Sequence, residues 1–172
     1  MTAKIIGAIV IISACSISSY RAVLNLTDRV RSLQSLEISL GVMKGEISGF
    51  MMPVPELFEN LGKSAPYPAN ILFRNACREM ESLGSCSFFE IWRNSVEKTP
   101  ELKLRDTEKL VLCQVGLSLG KFEAEAQTEA IDRAISRMAA FRSEAQEERR
   151  RDGRLHGALG VMAGIFAVIV LL

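Results

Sequence analysis

Two uncharged, apolar runs near the two ends constrain this chain more than any other feature. Residues 5–20 read IIGAIVIISACSISSY, and residues 155–172 read LHGALGVMAGIFAVIVLL. As helices they would span roughly 24 Å and 27 Å, close to the hydrocarbon core of about 30 Å. The pattern therefore predicts two transmembrane helices at these positions, with a short N-terminus at residues 1–4 and a helical domain at residues 21–154.

The N-terminal run allows three interpretations. Lys4, the apolar residues 5–12 and the small pair Ser13-Ala14 loosely match a cleaved secretory signal. The letters ISAC also match a lipoprotein cleavage box, which would leave Cys15 acylated on an exported protein. We favour an uncleaved membrane helix, because the lipoprotein match is short and a second membrane segment is present.

The charged residues are balanced. The chain has 21 Lys and Arg against 20 Asp and Glu, and all of them except Lys4 lie between Arg21 and Arg154. The helical domain therefore carries no net formal charge. Binding to nucleic acid by general attraction needs a basic excess or a basic face, so this balance argues against a nucleic-acid partner.

Basic residues gather on one side of the two predicted spans. The flanking arginines are Arg21, Arg149, Arg150, Arg151 and Arg154, whereas the opposite side offers only Lys4 and the amino terminus. The positive-inside bias predicts a multi-pass protein of the cell membrane, with its central domain in the cytoplasm and both termini outside. We also expect these arginines to contact membrane lipid through anionic headgroups.

Glycines recur in and just before the C-terminal run. Gly153, Gly157, Gly160 and Gly164 are spaced four, three and four residues apart, which places them on one helix face. In lipid, small residues let helices approach closely, so this face is predicted to pack against another helix. Three partners remain open: the N-terminal membrane helix, another protein, or a second copy of the chain in a homo-oligomer.

One apolar stripe with helical spacing runs through residues 26–50. Its members are Leu26, Val30, Leu33, Leu36, Leu40, Met43, Ile47 and Phe50. The stripe predicts a helix of about seven turns. This helix begins at Thr27 or Asp28, or else continues from the membrane helix. It ends at MMPVPE, because Pro53 and Pro55 are excluded from a helix interior.

Five further helices are predicted in the central domain. They cover about 55–63 and about 68–83, then begin at the Ser87–Glu90 capping box, near Asp106 and after Gly120. Their expected buried residues are Leu57, Phe58, Leu61, Ile71, Leu72, Ala76, Met80, Leu110, Cys113, Leu117, Ile131, Ile135, Met138 and Phe141. The predicted fold is all-α: a helical bundle of about six soluble helices, flanked by N- and C-terminal transmembrane helices.

Residue types that catalyse reactions or bind metals are sparse. The only histidine, His156, lies at the edge of a predicted span, and neither a phosphate-binding loop nor a zinc-protease motif occurs. Cys15, Cys77, Cys86 and Cys113 include no CxxC pair, and we interpret them as reduced, buried thiols. The sequence therefore predicts a protein that is not an enzyme and that uses no metal or cofactor.

Two segments match patterns of a known family. LEISLGVMKGEISGFMMPVPEL matches a long helix that enters a Pro-containing turn, L-x-x-E-I-x-Y-x-x-T-P-L-x-E-A, at Glu46, Ile47, Pro53 and Glu56. VGLSLGKFEAEAQTEAI matches F-G-x-x-L-G-x-x-D-x-x-x-Q-x-K-x-I at Gly116, Leu119, Gly120, Gln127 and Ile131. In the first segment Met52 replaces the usual Thr, and in the second Glu123 replaces the usual Asp.

Two more features complete the match. Trp92 with Val96 fits the family's W-x-x-S-L/V segment, and the C-terminal run is similar to its glycine-containing anchor. In this order, and over nearly the full chain, the segments resemble the stage III sporulation protein AB family of endospore-forming bacteria. The resemblance implies a helical domain similar to the cytoplasmic domains of the type II secretion F platform protein.

The resemblance also implies a function. Members are expected in the mother-cell membrane around the forespore, as non-enzymatic subunits of a secretion-like channel complex. A neighbouring family, stage III sporulation protein AA, resembles a hexameric secretion ATPase, so this domain is expected to couple such an ATPase to the membrane assembly and its other channel subunits. The expected partner contacts are Pro53, Glu56, Gly120, Glu123 and Gln127, at two exposed turns. The exported lipoprotein and a membrane-anchored helical binding module remain the alternatives.

Overall fold

A computed structural model describes the backbone of residues 2–50, 52–80, 86–119 and 124–171, and the side chains of residues 24–50, 52–80, 86–119 and 124–152. Every regular element in these ranges is a helix, which confirms the all-α prediction. The helices are α1 (Thr2–Phe50), α2 (Val54–Ser64), α3 (Ala69–Met80), α4 (Phe88–Glu97), α5 (Asp106–Leu119) and α6 (Ala124–Leu171), with a 3₁₀ turn at Pro100–Leu102.

The first and last helices are much longer than the others. α1 has 49 residues and α6 has 48, so neither is divided where the predicted membrane runs meet the central domain. The chain forms two compact units, one made of residues 1–27 and 144–172 and the other of residues 28–143. The six helices correspond to the six that the sequence predicts, and the first and last of them continue into the two apolar runs. For the first helix, this continuity is one of the two predicted alternatives.

The predicted transmembrane segments are not tested by these helices. The side chains of residues 5–20 and 155–172 lie outside the described residues. Within the described part of the chain, no helix combines the length and the apolar character needed to cross a bilayer.

The apolar stripe of α1 faces the core, as predicted. Its buried members are Val30, Leu33, Leu36, Leu40, Met43 and Ile47, and Leu26 is half-buried. At its end the prediction is wrong, because Phe50 is 77% exposed. Between the apolar residues, Ser32, Ser35 and Ser39 are also buried, and each donates its hydroxyl to a backbone carbonyl three or four residues earlier. Local hydrogen bonds thus satisfy these polar groups without a partner from another helix.

Aromatic side chains hold the short helices together. α2 packs on α3, α3 on α4, and α4 on α5. Phe58 lies at the centre, with its ring centroid 5.4 Å from Phe73, 5.9 Å from Phe88 and 5.2 Å from Trp92. The predicted inward residues of α2 are buried with it, and Pro55 occupies one of the first helical positions, where a missing N–H is harmless.

The predicted capping box starts α4. Ser87 accepts a hydrogen bond from the backbone N–H of Glu90, whose carboxylate accepts from the backbone N–H and hydroxyl of Ser87. These bonds to Ser87 lower the pKa of Glu90, because they favour the ionised carboxylate.

The core-facing side of α5 differs from the prediction. Leu110 and Leu117, expected to be buried, are 61% and 53% exposed, and Cys113 is half-buried. The buried residues of α5 are instead Glu108, Leu112, Val115, Gly116 and Leu119, on the opposite side of the helix. Asp106 is the first residue of α5, and the backbone N–H of Arg105 donates to Glu108.

Close packing between α4 and α5 explains this orientation. A Cβ atom added to Gly116 would stand 2.5 Å from Cδ1 of Trp92, so only glycine admits the indole ring there. The ring is held by a 2.8 Å hydrogen bond from its Nε1 to the carbonyl of Leu112. The glycine of the family pattern at position 116 is therefore explained by helix packing.

Other predicted core positions are only partly buried. Ile71, Met80, Ile135 and Phe141 are half-buried, whereas Ala130 and Ala134 of α6 are buried. Cys86 is exposed, contrary to the expectation for the thiols, and Cys15 lies outside the described side chains. The predicted end of α3 near Gly84 also falls outside the described residues.

We predict that Gly116→Ala lowers the free energy of unfolding by about 2 kcal/mol, because the new methyl group overpacks the buried indole of Trp92. Gly45→Ala is the matched control, since nothing lies within 4 Å of an added Cβ at that helical position. The control should raise stability by about 0.5–1 kcal/mol. Chemical denaturation measures both, and equal effects in the two variants would contradict the packing at Gly116.

Candidate functional site

A buried ion pair joins α1 to α5. Nε of Arg29 donates to Oε1 of Glu108 over 2.9 Å, and Nη2 of the same guanidinium donates to the same oxygen. The two side chains are 5% and 0% exposed. The other carboxylate oxygen, Oε2, accepts the backbone N–H of Arg105 over 2.8 Å, at the start of α5. Both carboxylate oxygens are thus occupied, which suits the pair to positioning helices instead of proton transfer.

Two more ion pairs join α1 to α6. Nζ of Lys44 lies 2.7 Å from Oδ2 of Asp132, and Nε of Arg142 lies 2.8 Å from Oε1 of Glu37. The first pair is well exposed and the second is largely buried on the glutamate side. The second contact therefore holds its two helices more firmly, since exposed pairs contribute little.

Two grooves flank the exposed side of α5. One lies between α5 and α6, with a volume of about 460 Å³, and the other lies between α4 and α5, with a volume of about 480 Å³. Leu110 and Gln114 line both of them, so α5 presents a ridge with a groove on each side. Both grooves are open to solvent.

The thiols of Cys77 and Cys113 are poor nucleophiles. Burial raises the pKa of Cys113, and Glu97 adds to the effect by repelling the thiolate. Burial likewise raises the pKa of Cys77, with a smaller contribution from Glu59. At neutral pH both thiols are protonated, and the thiolate is the reactive form. In the described ranges, no three His, Cys, Asp or Glu side chains come together as metal ligands would.

The predicted partner contacts lie on different helices. Pro53 and Glu56 are exposed at the start of α2, whereas Gln127 is half-buried near the start of α6 and has a partner in the structure. Gly120 and Glu123 lie outside the described residues. The role of these residues in binding stays a prediction.

The structure describes the side chains of only some of the residues predicted to flank the membrane or to pack in it. Arg149, Arg150 and Arg151 are exposed on α6. The side chains of Arg21, Arg154, Gly153, Gly157, Gly160 and Gly164 lie outside the described residues. The packing of the glycine face therefore stays a prediction as well.

Sequence reasoning missed both the buried ion pair and the exposed leucines. A signal for the correct face of α5 was present: Leu112, Val115 and Leu119 have helical spacing, with Gly116 beside them. Glu108 extends that face by one turn, and a carboxylate at a core position carries no apolar signal. Its partner, Arg29, is 79 residues away in the chain.

Known proteins match this chain over almost its whole length. The family described as Stage III sporulation protein AB matches residues 4–172. The Stage III sporulation protein AB of Bacillus subtilis (strain 168) is 25% identical over 170 residues, which are 98% of this chain and 99% of the relative. A solved structure of a Stage III sporulation protein AB superposes with a TM-score of 0.65 at 25% identity, covering 72% of this chain and 98% of that one.

We expect Glu108→Gln to destabilise the fold by about 3–5 kcal/mol, because it removes the counter-charge that Glu108 supplies to the buried guanidinium of Arg29. The matched control is Asp132→Asn, which breaks the exposed pair with Lys44 and should cost no more than about 1 kcal/mol. Urea unfolding monitored by circular dichroism compares the two. Similar small losses in both variants would show that the pair of Arg29 and Glu108 does not hold α5 in place.

Proposed function

Because the chain belongs to the stage III sporulation protein AB family, which acts in sporulation, we propose that it is a non-enzymatic platform subunit of a secretion-like channel complex. In this proposal the runs at residues 5–20 and 155–172 anchor it in the mother-cell membrane around the forespore, and residues 21–154 face the cytoplasm. The helical domain couples a cytosolic secretion-type ATPase, similar to stage III sporulation protein AA, to the other channel subunits.

One observation carries the proposal: the family match extends over residues 4–172, and thus over both apolar runs as well as the helical domain. The relative from Bacillus subtilis is aligned over 99% of its own length. A family match that includes both apolar runs as well as the helical domain supports attachment to a membrane at both ends.

The ion pairs of the domain support a role as a mechanical adaptor. α1 and α6 are the helices whose sequences contain the apolar runs. Within residues 28–143, ion pairs tie α1 to α5 through Glu108, and to α6 through Asp132 and Arg142. A partner that binds α5 would therefore act on both long helices together.

The chemistry of the described side chains supports an adaptor more than an enzyme. The half-buried thiols of Cys77 and Cys113 have raised pKa values, and the groove between α5 and α6 is lined by leucine, valine, alanine, threonine, serine, glutamine and arginine. Such a lining suits binding to a protein surface. It offers no nucleophile with an adjacent base.

We predict that the full-length chain stays in the membrane fraction after washing with alkaline carbonate, because two apolar runs hold it in the bilayer. Ala163→Arg places a charge near the middle of the C-terminal run, which disfavours insertion by about 2.5–3.5 kcal/mol. That variant should release a measurable fraction of the protein. Ala140→Arg, an exposed position in the helical domain, is the control and should be retained like the unmodified chain.

The cytoplasmic position of the helical domain and the binding of the ATPase are tested with the same membranes. Protease added from outside should leave the helical domain intact, and a purified stage III sporulation protein AA-like ATPase should bind inside-out vesicles that contain the chain. Cleavage from outside, together with a mature N-terminus at acylated Cys15, would instead establish the exported lipoprotein. Retention of the chain without any binding of the ATPase would contradict the coupling role.

A further inference from the structure

The groove between α5 and α6 has a distinctive combination of charge and apolar surface. Val111, Val115, Ala130 and Ala134 form its apolar floor, and Arg133 and Arg137 stand on its α6 side. None of the residues that line it is acidic. The groove between α4 and α5, by contrast, carries Arg93 and Lys109 together with Glu97 and Asp106. Of the two grooves, the α5–α6 groove alone carries charges of one sign, so it favours a partner with negative charge.

The two arginines are available to a partner. Arg137 is exposed and makes no hydrogen bond or ion pair with another described residue. Arg133 pairs with Glu129 over 2.6 Å, but both side chains are about two-thirds exposed. Such an exposed pair contributes little, so a carboxylate from a partner displaces Glu129 at small cost. Spaced by four residues on α6, the guanidinium groups lie on one helix face and match two carboxylates one helical turn apart.

The apolar side of the groove favours a protein helix over a small anion. Leu110 lines this groove and is 61% exposed. The lining of α5 extends from Thr107 to Ser118, or about 16 Å along the helix axis. That length accommodates about three turns of a second helix. A free phosphate would use the arginines and leave Leu110 in water.

We propose that the α5–α6 groove is the docking site for an acidic amphipathic helix of the cytosolic partner, with its leucine-type side chains against Leu110 and its carboxylates on Arg133 and Arg137. The proposal rests on the proposed function in one respect: the partner of the domain is a cytosolic protein. Charge complementarity selects the acidic helix, and the exposed leucine supplies apolar area that becomes buried on binding.

The groove is tested with a defined probe that does not require the ATPase. A fluorescent, short amphipathic peptide with a leucine stripe and glutamates on its flank is titrated with the full chain in nanodiscs of zwitterionic lipid. Its counterpart has lysines in place of the glutamates. We expect the glutamate peptide to bind and the lysine peptide to bind at least about tenfold more weakly, since it places cations against two arginines.

Matched variants locate the binding. Arg137→Glu should weaken the glutamate peptide about fivefold, and Leu110→Gln about tenfold. The controls change the same residue types at other exposed positions: Arg78→Glu on α3 and Ile38→Gln on α1. Each control should change the affinity less than about twofold. Equal binding of the two peptides, or an effect of Arg137→Glu without any effect of Leu110→Gln, would overturn the docking site.

A second arm separates this inference from the proposed function. If the AA-like ATPase binds the full chain with an affinity that neither groove variant lowers, the groove is excluded while the coupling role stands. If the ATPase does not bind but the glutamate peptide binds as described, the docking chemistry stands and the ATPase is the wrong partner. Loss of peptide binding in nanodiscs rich in phosphatidylglycerol would contradict the proposal if it persists at a salt concentration that screens the bilayer charge and leaves binding in zwitterionic nanodiscs intact, since lipid headgroups would then occupy the groove.

Discussion

The buried contact between Arg29 and Glu108 determines which side of α5 faces the core. A carboxylate in the interior requires a counter-charge, and Arg29 of α1 supplies it within hydrogen-bond distance. Gly116, two turns later on the same side, admits the indole of Trp92 where any larger residue would collide. Arg29 of α1 and Trp92 of α4 thus contact the same face of α5. Together they fix the orientation of α5 about its own axis.

That rotation has a consequence for the surface. With Glu108 and Gly116 inward, Leu110 and Leu117 point outward, and a groove with two arginines opens against α6. Large exposed leucines destabilise nothing by themselves, but they are typical of surfaces that bind another protein. The ion pair of Arg29 and Glu108 connects α5 to α1, so a partner on α5 is linked to a helix whose sequence includes an apolar run. Stability and proposed function thus depend on the same few contacts.

The sequence predicted those features of the structure that depend on local patterns of apolar and capping residues. The stripe of α1, the inward residues of α2 and the capping box of α4 each depend on neighbours within a few residues, and each was found. On α5, Leu110, Cys113 and Leu117 formed an apolar stripe that competed with the true one, whose core face includes a carboxylate and a glycine. A pattern of apolar residues does not identify a buried carboxylate or a glycine as part of the core-facing side of a helix. To predict the groove, one must know which helix packs beside α5. The periodicity of a single sequence does not give this information.

The rotation of α5 is tested most directly by thiol labelling of the full chain in nanodiscs, with Cys15, Cys77, Cys86 and Cys113 replaced by serine. Val115→Cys and Leu117→Cys then place single thiols on opposite sides of the helix, at positions 1% and 53% exposed. We expect a water-soluble maleimide to modify the thiol at position 117 promptly in the folded protein. The thiol at position 115 should react only when denaturant opens the bundle. Prompt modification at position 115 with protection at position 117 would contradict this account.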